Sequence, residues 1–211
     1  MIFRTVFGLL LLTLSSCAIT PQPIVKGVIE RYPSSIDEQS GGLYSAKVVS
    51  KKLSDTLWSY EEKGITIRFI PDKLLNIYEG NPHTLYVGIF QLNNPSKFIK
   101  MSSTQSGIEE LLSDAVVDDS ILSNTKQILY PDIESIVVLD RAEQSKYIAI
   151  VTGYVNLESD SNVRIIPING MQEPRKNLLS FIGEPDIRAA IVKLWVSLGE
   201  KSIKSVELRS Q

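Results

Sequence analysis

The chain has 211 residues, with 22 basic and 24 acidic side chains, a single histidine, a single cysteine and a formal charge of −2. That length is enough for one domain with a real hydrophobic core. The near-neutral charge, with no strongly basic segment, removes the usual basis for nucleic-acid binding, and one cysteine permits no intrachain disulfide.

The chain opens with Arg4 as the only charge, followed by an apolar run from Val6 to Leu12 broken only by Gly8. A spanning helix needs about 20 apolar residues, so this run is too short. A charged start, a short apolar stretch and then the small residues Ser15 and Ser16 form the pattern of a secretory signal peptide over residues 1–16. Leu14-Ser15-Ser16-Cys17 resembles the lipobox of bacterial lipoproteins. That resemblance implies a diacylglycerol on the Cys17 thiol, cleavage just before it and acylation of the new amino group. The alternatives are an ordinary signal peptide with an incidental cysteine, or an apolar N-terminal anchor. One acyl chain holds a protein to a membrane only marginally, whereas two or more anchor it stably. Ala18 follows Cys17; in lipoproteins of enteric-type bacteria Asp there favours inner-membrane retention, so its absence implies the outer membrane.

Residues 17–42 contain Pro21, Pro23, Pro33, Ser34, Ser35, Ser40, Gly41 and Gly42, the composition of a tether. A domain over residues 43–211 follows. From Leu43 to Lys63 the apolar residues Ala46, Val49, Leu53, Leu57 and Tyr60 recur at helical spacing, and Gly64 stands where a C-cap would. The pattern predicts an amphipathic helix packed on its own domain or, alternatively, on a partner.

Strand patterns then take over. Ile65 to Ile70 alternates, and "PDKLLNIYEGNPH" (Pro71 to His83) is rich in turn formers. Thr84 to Leu92 puts Leu85, Val87 and Ile89 on one face and Tyr86, Gly88 and Phe90 on the other. Asn94-Pro95 predicts a cap and first helical position for a short turn through Phe98. Ser106 to Glu109 fits a capping box, with Leu111, Leu112, Ala115 and Val116 as the apolar face of its helix. An extended piece is predicted to begin at Ile128–Leu129. Further strands are expected over Ile133 to Leu139, Tyr147 to Val155, Val163 to Ile168, Ala190 to Leu198 and Ser202 to Leu208, with Gly199-Glu200-Lys201 as the final turn. Many short strands with Pro, Gly and Asn turns predict an all-β fold, an antiparallel two-sheet sandwich with short helices in its crossovers.

Catalytic motifs are missing from the sequence. His83 lies between Pro82 and Thr84 without a G-x-S-x-G elbow, so a Ser–His relay has no nucleophile motif to use. The adjacent carboxylates Glu61-Glu62, Glu109-Glu110 and Asp118-Asp119 read as solvated surface. There is no Walker loop, dinucleotide fingerprint or zinc spacing. No catalytic residue, metal or cofactor is expected, and the chain reads as a binding or structural protein.

From Ile65 onward, a set of motifs in fixed order resembles the outer-membrane lipoprotein of the type VI secretion membrane complex, the TssJ/SciN-like family. These are "ITIRFI", a polar loop with Leu75-Asn76, "LYVGIFQL", "NPSKF", "IEELLSD", "ILYPDIESIVV", "KYIAIVTGYVNLE", "NVRIIPI" and the closing hairpin "AIVKLWVSLGEKSIKSVEL". Three places depart from the family pattern: Pro131-Asp132 for Pro-Gly, Asn156 where an Arg is common, and Val163-Arg164 for Trp-Arg. The resemblance implies a transthyretin-like sandwich with no catalytic role, held to the outer membrane by its acyl chains and facing the periplasm. It implies as partner the periplasmic C-terminal region of a large inner-membrane (TssM-like) subunit, contacted through the loop Pro71 to His83. The candidate contact residues are Leu74, Asn76, Ile77, Tyr78 and Asn81. Leu74 and Ile77 could equally tuck under the sandwich, whereas Asn76 and Tyr78 are expected to be exposed. Two other readings remain: a lipid-anchored sandwich binding a small ligand or glycan through an aromatic face of Tyr86, Phe90 and Tyr154, and a hydrolase using His83.

Overall fold

The computed structural model describes residues 56–113, 118–172 and 187–209. Cys17, the tether and most of the expected first helix lie outside them. None of the helices among the described residues is long and apolar enough to cross a membrane.

Alternating apolar residues form two four-stranded sheets packed face to face. The first contains β2 (Glu61–Pro71), β5 (Ser135–Arg141), β10 (Val192–Leu198) and β11 (Ile203–Leu208), in the order β11-β10-β2-β5. The second contains β3 (Leu85–Leu92), β4 (Ile121–Leu129), β6 (Tyr147–Thr152) and β7 (Val163–Pro167), in the order β4-β3-β6-β7. A small third sheet, β1 (Thr56–Leu57), β8 (Gly170–Gln172) and β9 (Ile187–Ala189), has the order β1-β9-β8. The expected sandwich is present, with one difference in strand direction. β10 lies parallel to β2, from Ile65↔Val192 to Pro71↔Leu198. Parallel neighbours need a long crossover, which here runs through the entire second sheet.

The core follows from period two. Ile65, Ile67 and Phe69 of β2 and Leu194, Val196 and Leu198 of β10 point inward, against Leu85, Val87 and Ile89 of β3. The opposite face of the second sheet is also buried. α1 (Ser96–Ser102) and α2 (Gln105–Leu112) cover it, so that Phe98, Ile99, Ile108 and Leu111 pack on Phe90, Leu92, Val151 and Ile165. Phe90 and Phe98 meet edge-on at 5.1 Å. β3 and β7 are therefore covered on both faces and read as nearly continuous apolar runs.

The described end of the segment expected as a helix over Leu43 to Lys63 is extended instead. Thr56–Leu57 pairs with Ile187–Arg188, and Glu61 pairs with Arg141. Trp58 buries in the main core, and strand pairing there outweighs helical periodicity. Gly64 is an interior residue of β2, not a cap; a Cβ on it would stand 3.0 Å from the Cβ atoms of both Arg141 and Glu61. α1 begins at Ser96, whose N–H donates to Asn94 Oδ1 at 2.9 Å, and extends beyond Phe98. Thr104, not Ser106, caps α2, its Oγ1 accepting from the Gly107 N–H at 3.1 Å. Leu129 ends β4 instead of starting a strand, and β6 stops at Thr152; the Gly153 N–H still donates to the Tyr86 carbonyl of β3 at 2.8 Å, and Tyr154 and Val155 leave the sheet.

Candidate functional site

Strand register brings four connections to one end of the sandwich. β2 ends at Pro71 beside Leu198, the end of β10. β3 begins at Leu85 opposite Leu129, the end of β4, and Val87 pairs with Thr152, the end of β6. The loop Pro71 to His83, the turn Gly199 to Ser202, the segment after Thr152 and the β4–β5 connection are therefore neighbours.

The loop is held at nearly every step. The Asp72 N–H donates to the Leu198 carbonyl at 2.9 Å. Asp72 Oδ1 accepts from the Leu74 N–H at 3.0 Å, and Lys204 Nζ donates to Oδ2 at 2.6 Å. The Leu74 N–H and then Lys204 hold this carboxyl below the usual carboxylate range. Leu75 enters the core. The Ile77 N–H donates to the Glu200 carbonyl at 2.9 Å, and the His83 N–H to the Leu75 carbonyl at 3.0 Å. Tyr78 and Asn81 exchange two backbone hydrogen bonds of 3.0 Å around Glu79 and Gly80, both at positive φ (50° and 79°). That is a type I′ turn, for which the Glu-Gly pair supplies the required glycine.

Asn76 is not the exposed contact residue that the sequence suggests. It is 8% exposed at φ 49°. Its Nδ2 donates to the Thr84 carbonyl at 2.8 Å and its Oδ1 accepts from the Val155 N–H at 3.2 Å. A short amide that tolerates left-handed backbone and satisfies groups on two segments belongs inside such a loop. Tyr78 is 51% exposed as expected, with its ring edge-on to exposed His83 at 6.2 Å. Leu74 is 43% exposed, Ile77 is half-buried, and Asn81 is exposed with its Nδ2 donating to the Glu79 carbonyl at 3.2 Å.

Two features of this end were not legible as site residues. Val155, 57% exposed, stands beside the loop, and the Glu200–Lys201 turn closes the other side. Between them lies a cleft of about 350 Å³ lined by Ile77, Tyr78, Gly80, Val155 and Lys201. Buried Asn162 shapes the Val155 segment. Its Nδ2 donates to the carbonyls of Asn156 and Glu158 at 2.7 and 3.0 Å, and its Oδ1 accepts from the Tyr154 N–H at 3.2 Å. Arg164, the retained half of the expected Trp-Arg pair, donates from Nη2 to the Ile203 carbonyl at 2.7 Å and so ties β7 to the start of β11.

The aromatic face proposed for glycan binding does not form. Phe90 is fully buried under α1 and α2, and Tyr154 is buried in the main core with its hydroxyl donating to the Ser202 carbonyl at 3.0 Å. Burial pushes the Tyr154 phenol well above its ordinary pKa. Of the carboxylate pairs, Glu62, Glu109, Glu110 and Asp119 are exposed as expected, whereas Glu61 is half-buried and the Asp118 side chain is largely covered, its Oδ1 accepting from the Ser120 N–H at 2.7 Å and its Oδ2 pairing with Lys97 at 3.3 Å.

A family model described as type VI secretion lipoprotein (VasD, EvfM, TssJ) matches residues 63–191. Among solved structures, the chain is similar to the T6SS lipoprotein TssJ1 from Pseudomonas aeruginosa, with 14% identity, a TM-score of 0.49, and 72% of this chain and 98% of that one covered. It is similar to Serratia marcescens Lip, a membrane-bound component of the type VI secretion system, with 15% identity, a TM-score of 0.45, and coverage of 72% and 98%. It is also similar to a structure described as the T6SS protein TssM C-terminal domain (869–1107) from EAEC, with 11% identity, a TM-score of 0.46, and coverage of 70% and 98%. No curated protein matches the chain by sequence.

Proposed function

We propose, from the premise that the chain belongs to the type VI secretion lipoprotein family, that it is the outer-membrane subunit of that system's membrane complex. Residues 1–16 direct export, acylated Cys17 holds the chain in the outer membrane, and residues 17–42 tether the domain on the periplasmic side. The domain binds the periplasmic C-terminal region of the large inner-membrane subunit. Its role is assembly and not catalysis.

One observation carries the location of the contact. At the end of the sandwich, exposed Tyr78 and Val155 line a cleft and exposed Leu74 lies on the same loop as Tyr78, on segments fixed by backbone and Asn76 hydrogen bonds. Exposed aromatic and aliphatic side chains on a preorganised frame are what a binding hot spot requires, because little conformational entropy remains to be lost on association. Leu74, Ile77, Tyr78, Asn81 and Val155 supply the contact, and Asn76 positions it. The test is titration calorimetry of the exported chain carrying Cys17→Ser against the purified periplasmic region of the large subunit. Tyr78→Ala combined with Val155→Ala should weaken binding at least tenfold with an unchanged circular dichroism spectrum; wild-type affinity in that variant would place the contact elsewhere.

A further inference from the structure

Five large apolar side chains that stay half or more exposed follow one another along the chain: Ile128, Tyr130, Ile133, Ile136 and Val138. They run from the end of β4, through the connection, onto the outer face of β5. The connection touches the loop that carries the proposed docking site, the Asp132 N–H donating to the Asp72 carbonyl at 3.3 Å.

β5 is an edge strand of its sheet. At its far end the Gln91 side chain acts as a substitute neighbour: Nε2 donates to the Asp140 carbonyl at 2.8 Å, and Oε1 accepts from the Ala142 N–H at 2.7 Å. Those two backbone groups therefore point away from β2. Backbone groups alternate along an antiparallel strand, so the N–H and C=O of Val138 and Ile136 point to the same open side. Among the described residues no group takes them up. Natural edges are blunted by proline, bulges or charged side chains. Gln91 protects the Asp140 end, but Ile136-Val137-Val138 has no such device and is made of strong strand formers. The charged groups beside this edge are mainly acidic: Asp132, Glu134 and Asp140 stand against Lys63 and against Arg68, which is paired with Glu134.

We infer that the Ile136–Val138 edge of β5 is a strand-addition site, and that its occupant is an extended apolar segment of the inner-membrane partner flanked by Lys or Arg. This rests on the docking role proposed above and adds a second contact to it. An added strand would gain backbone hydrogen bonds from the edge, apolar contact from Ile136 and Val138, and charge complementarity from the acidic rim.

The test is amide hydrogen exchange on the Cys17→Ser chain, with and without the partner's purified periplasmic region. The Ile136 and Val138 amides should exchange at least tenfold more slowly in the complex. Val138→Pro removes only an outward N–H, which edge strands tolerate, and should weaken binding at least tenfold. Ile136→Thr with Val138→Thr, which keeps strand propensity, should weaken it as well, and Asp132→Asn should flatten its salt dependence. If Tyr78→Ala weakens binding while Val138→Pro and the amide exchange at Ile136 and Val138 remain unchanged, strand addition is overturned and the docking end stands. If the wild-type chain does not bind, both readings fall. Slow exchange already in the free chain, relieved by deleting residues 43–55 or by dilution, would assign the edge to the chain's own N-terminal segment or to a second copy, and would overturn the inference.

Discussion

Asn76 and Tyr78 are two residues apart and have opposite duties. Asn76 bonds to Thr84 and Val155 from inside the loop, while Tyr78 faces solvent. Asn76→Ala leaves the Thr84 carbonyl and the Val155 N–H, both part-buried, without their side-chain partner, at a cost of about 0.5–1.5 kcal/mol for each bond lost. A denaturant titration should show that loss, whereas Tyr78→Ala should fall within about 0.5 kcal/mol of wild type and change only binding. Gly107 is constrained by space: a Cβ there would stand 1.8 Å from the Met101 carbonyl oxygen, where α2 starts against the end of α1. Gly107→Ala must push the two helices apart and should destabilise by roughly 1–3 kcal/mol or more, measured as a lower thermal midpoint. Tyr154 gives a pH dependence. Burial raises its pKa above the value of about 10 for an unfolded chain, so the buried neutral phenol favours the fold fully below that pH. The stability is lost as pH rises, because the unfolded chain ionises first. Tyr154→Phe should flatten the decline in thermal midpoint above pH 10, at the cost of the hydrogen bond to Ser202.

At the scale of elements, the loop Pro71 to His83 behaves as part of the sandwich. Asp72, Leu75, Asn76 and Ile77 tie it to β10, the core, Val155 and the Glu200 turn. Replacing Ile77 to Asn81 with a Gly/Ser linker of equal length should leave the domain folded by circular dichroism and abolish partner binding in calorimetry. Extending the replacement to Asn76 should also lower stability. In β4 only the last two residues carry a strand signal in the sequence. "ILSNTKQIL" is an edge strand, partly exposed along almost its whole length, so no apolar alternation marks it. Its partner β3 was legible because both of its faces are buried.

At the scale of the whole molecule, the buried guanidinium of Arg141 joins the small third sheet to the sandwich. Nη1 donates to the carbonyls of Ala189 and Ala190 at 3.1 and 2.8 Å, and Nη2 to that of Ser59 at 3.2 Å. Desolvation lowers its pKa, opposed by Glu61. The proposed anchor also belongs to this scale: Cys17→Ser should yield a chain that is exported but recovered in the soluble periplasmic fraction. Unchanged palmitate labelling, or membrane fractionation that survives the substitution, would count against acylation at Cys17.

What the sequence determined by itself is local. The short apolar run before Cys17, the alternation in β2, β3 and β10, and the turn formers of Pro71 to His83 each depend on a few neighbouring residues, and each can be read in place. Tertiary structure decided what covers each face and which segments meet. Alternation divides β3 into two faces, but only the fold shows that α1 and α2 close the Phe90 side and remove the expected aromatic surface. Helical spacing is present up to Tyr60, yet pairing of Thr56–Leu57 with β9 and of Glu61 with Arg141 makes that stretch extended. Val155 lies 77 residues from Tyr78 in the sequence, and strand register alone puts them on the same end. The physical reason is range: backbone preference and patterning act within a few residues, whereas burial and docking surface are set by contacts between segments far apart in the chain.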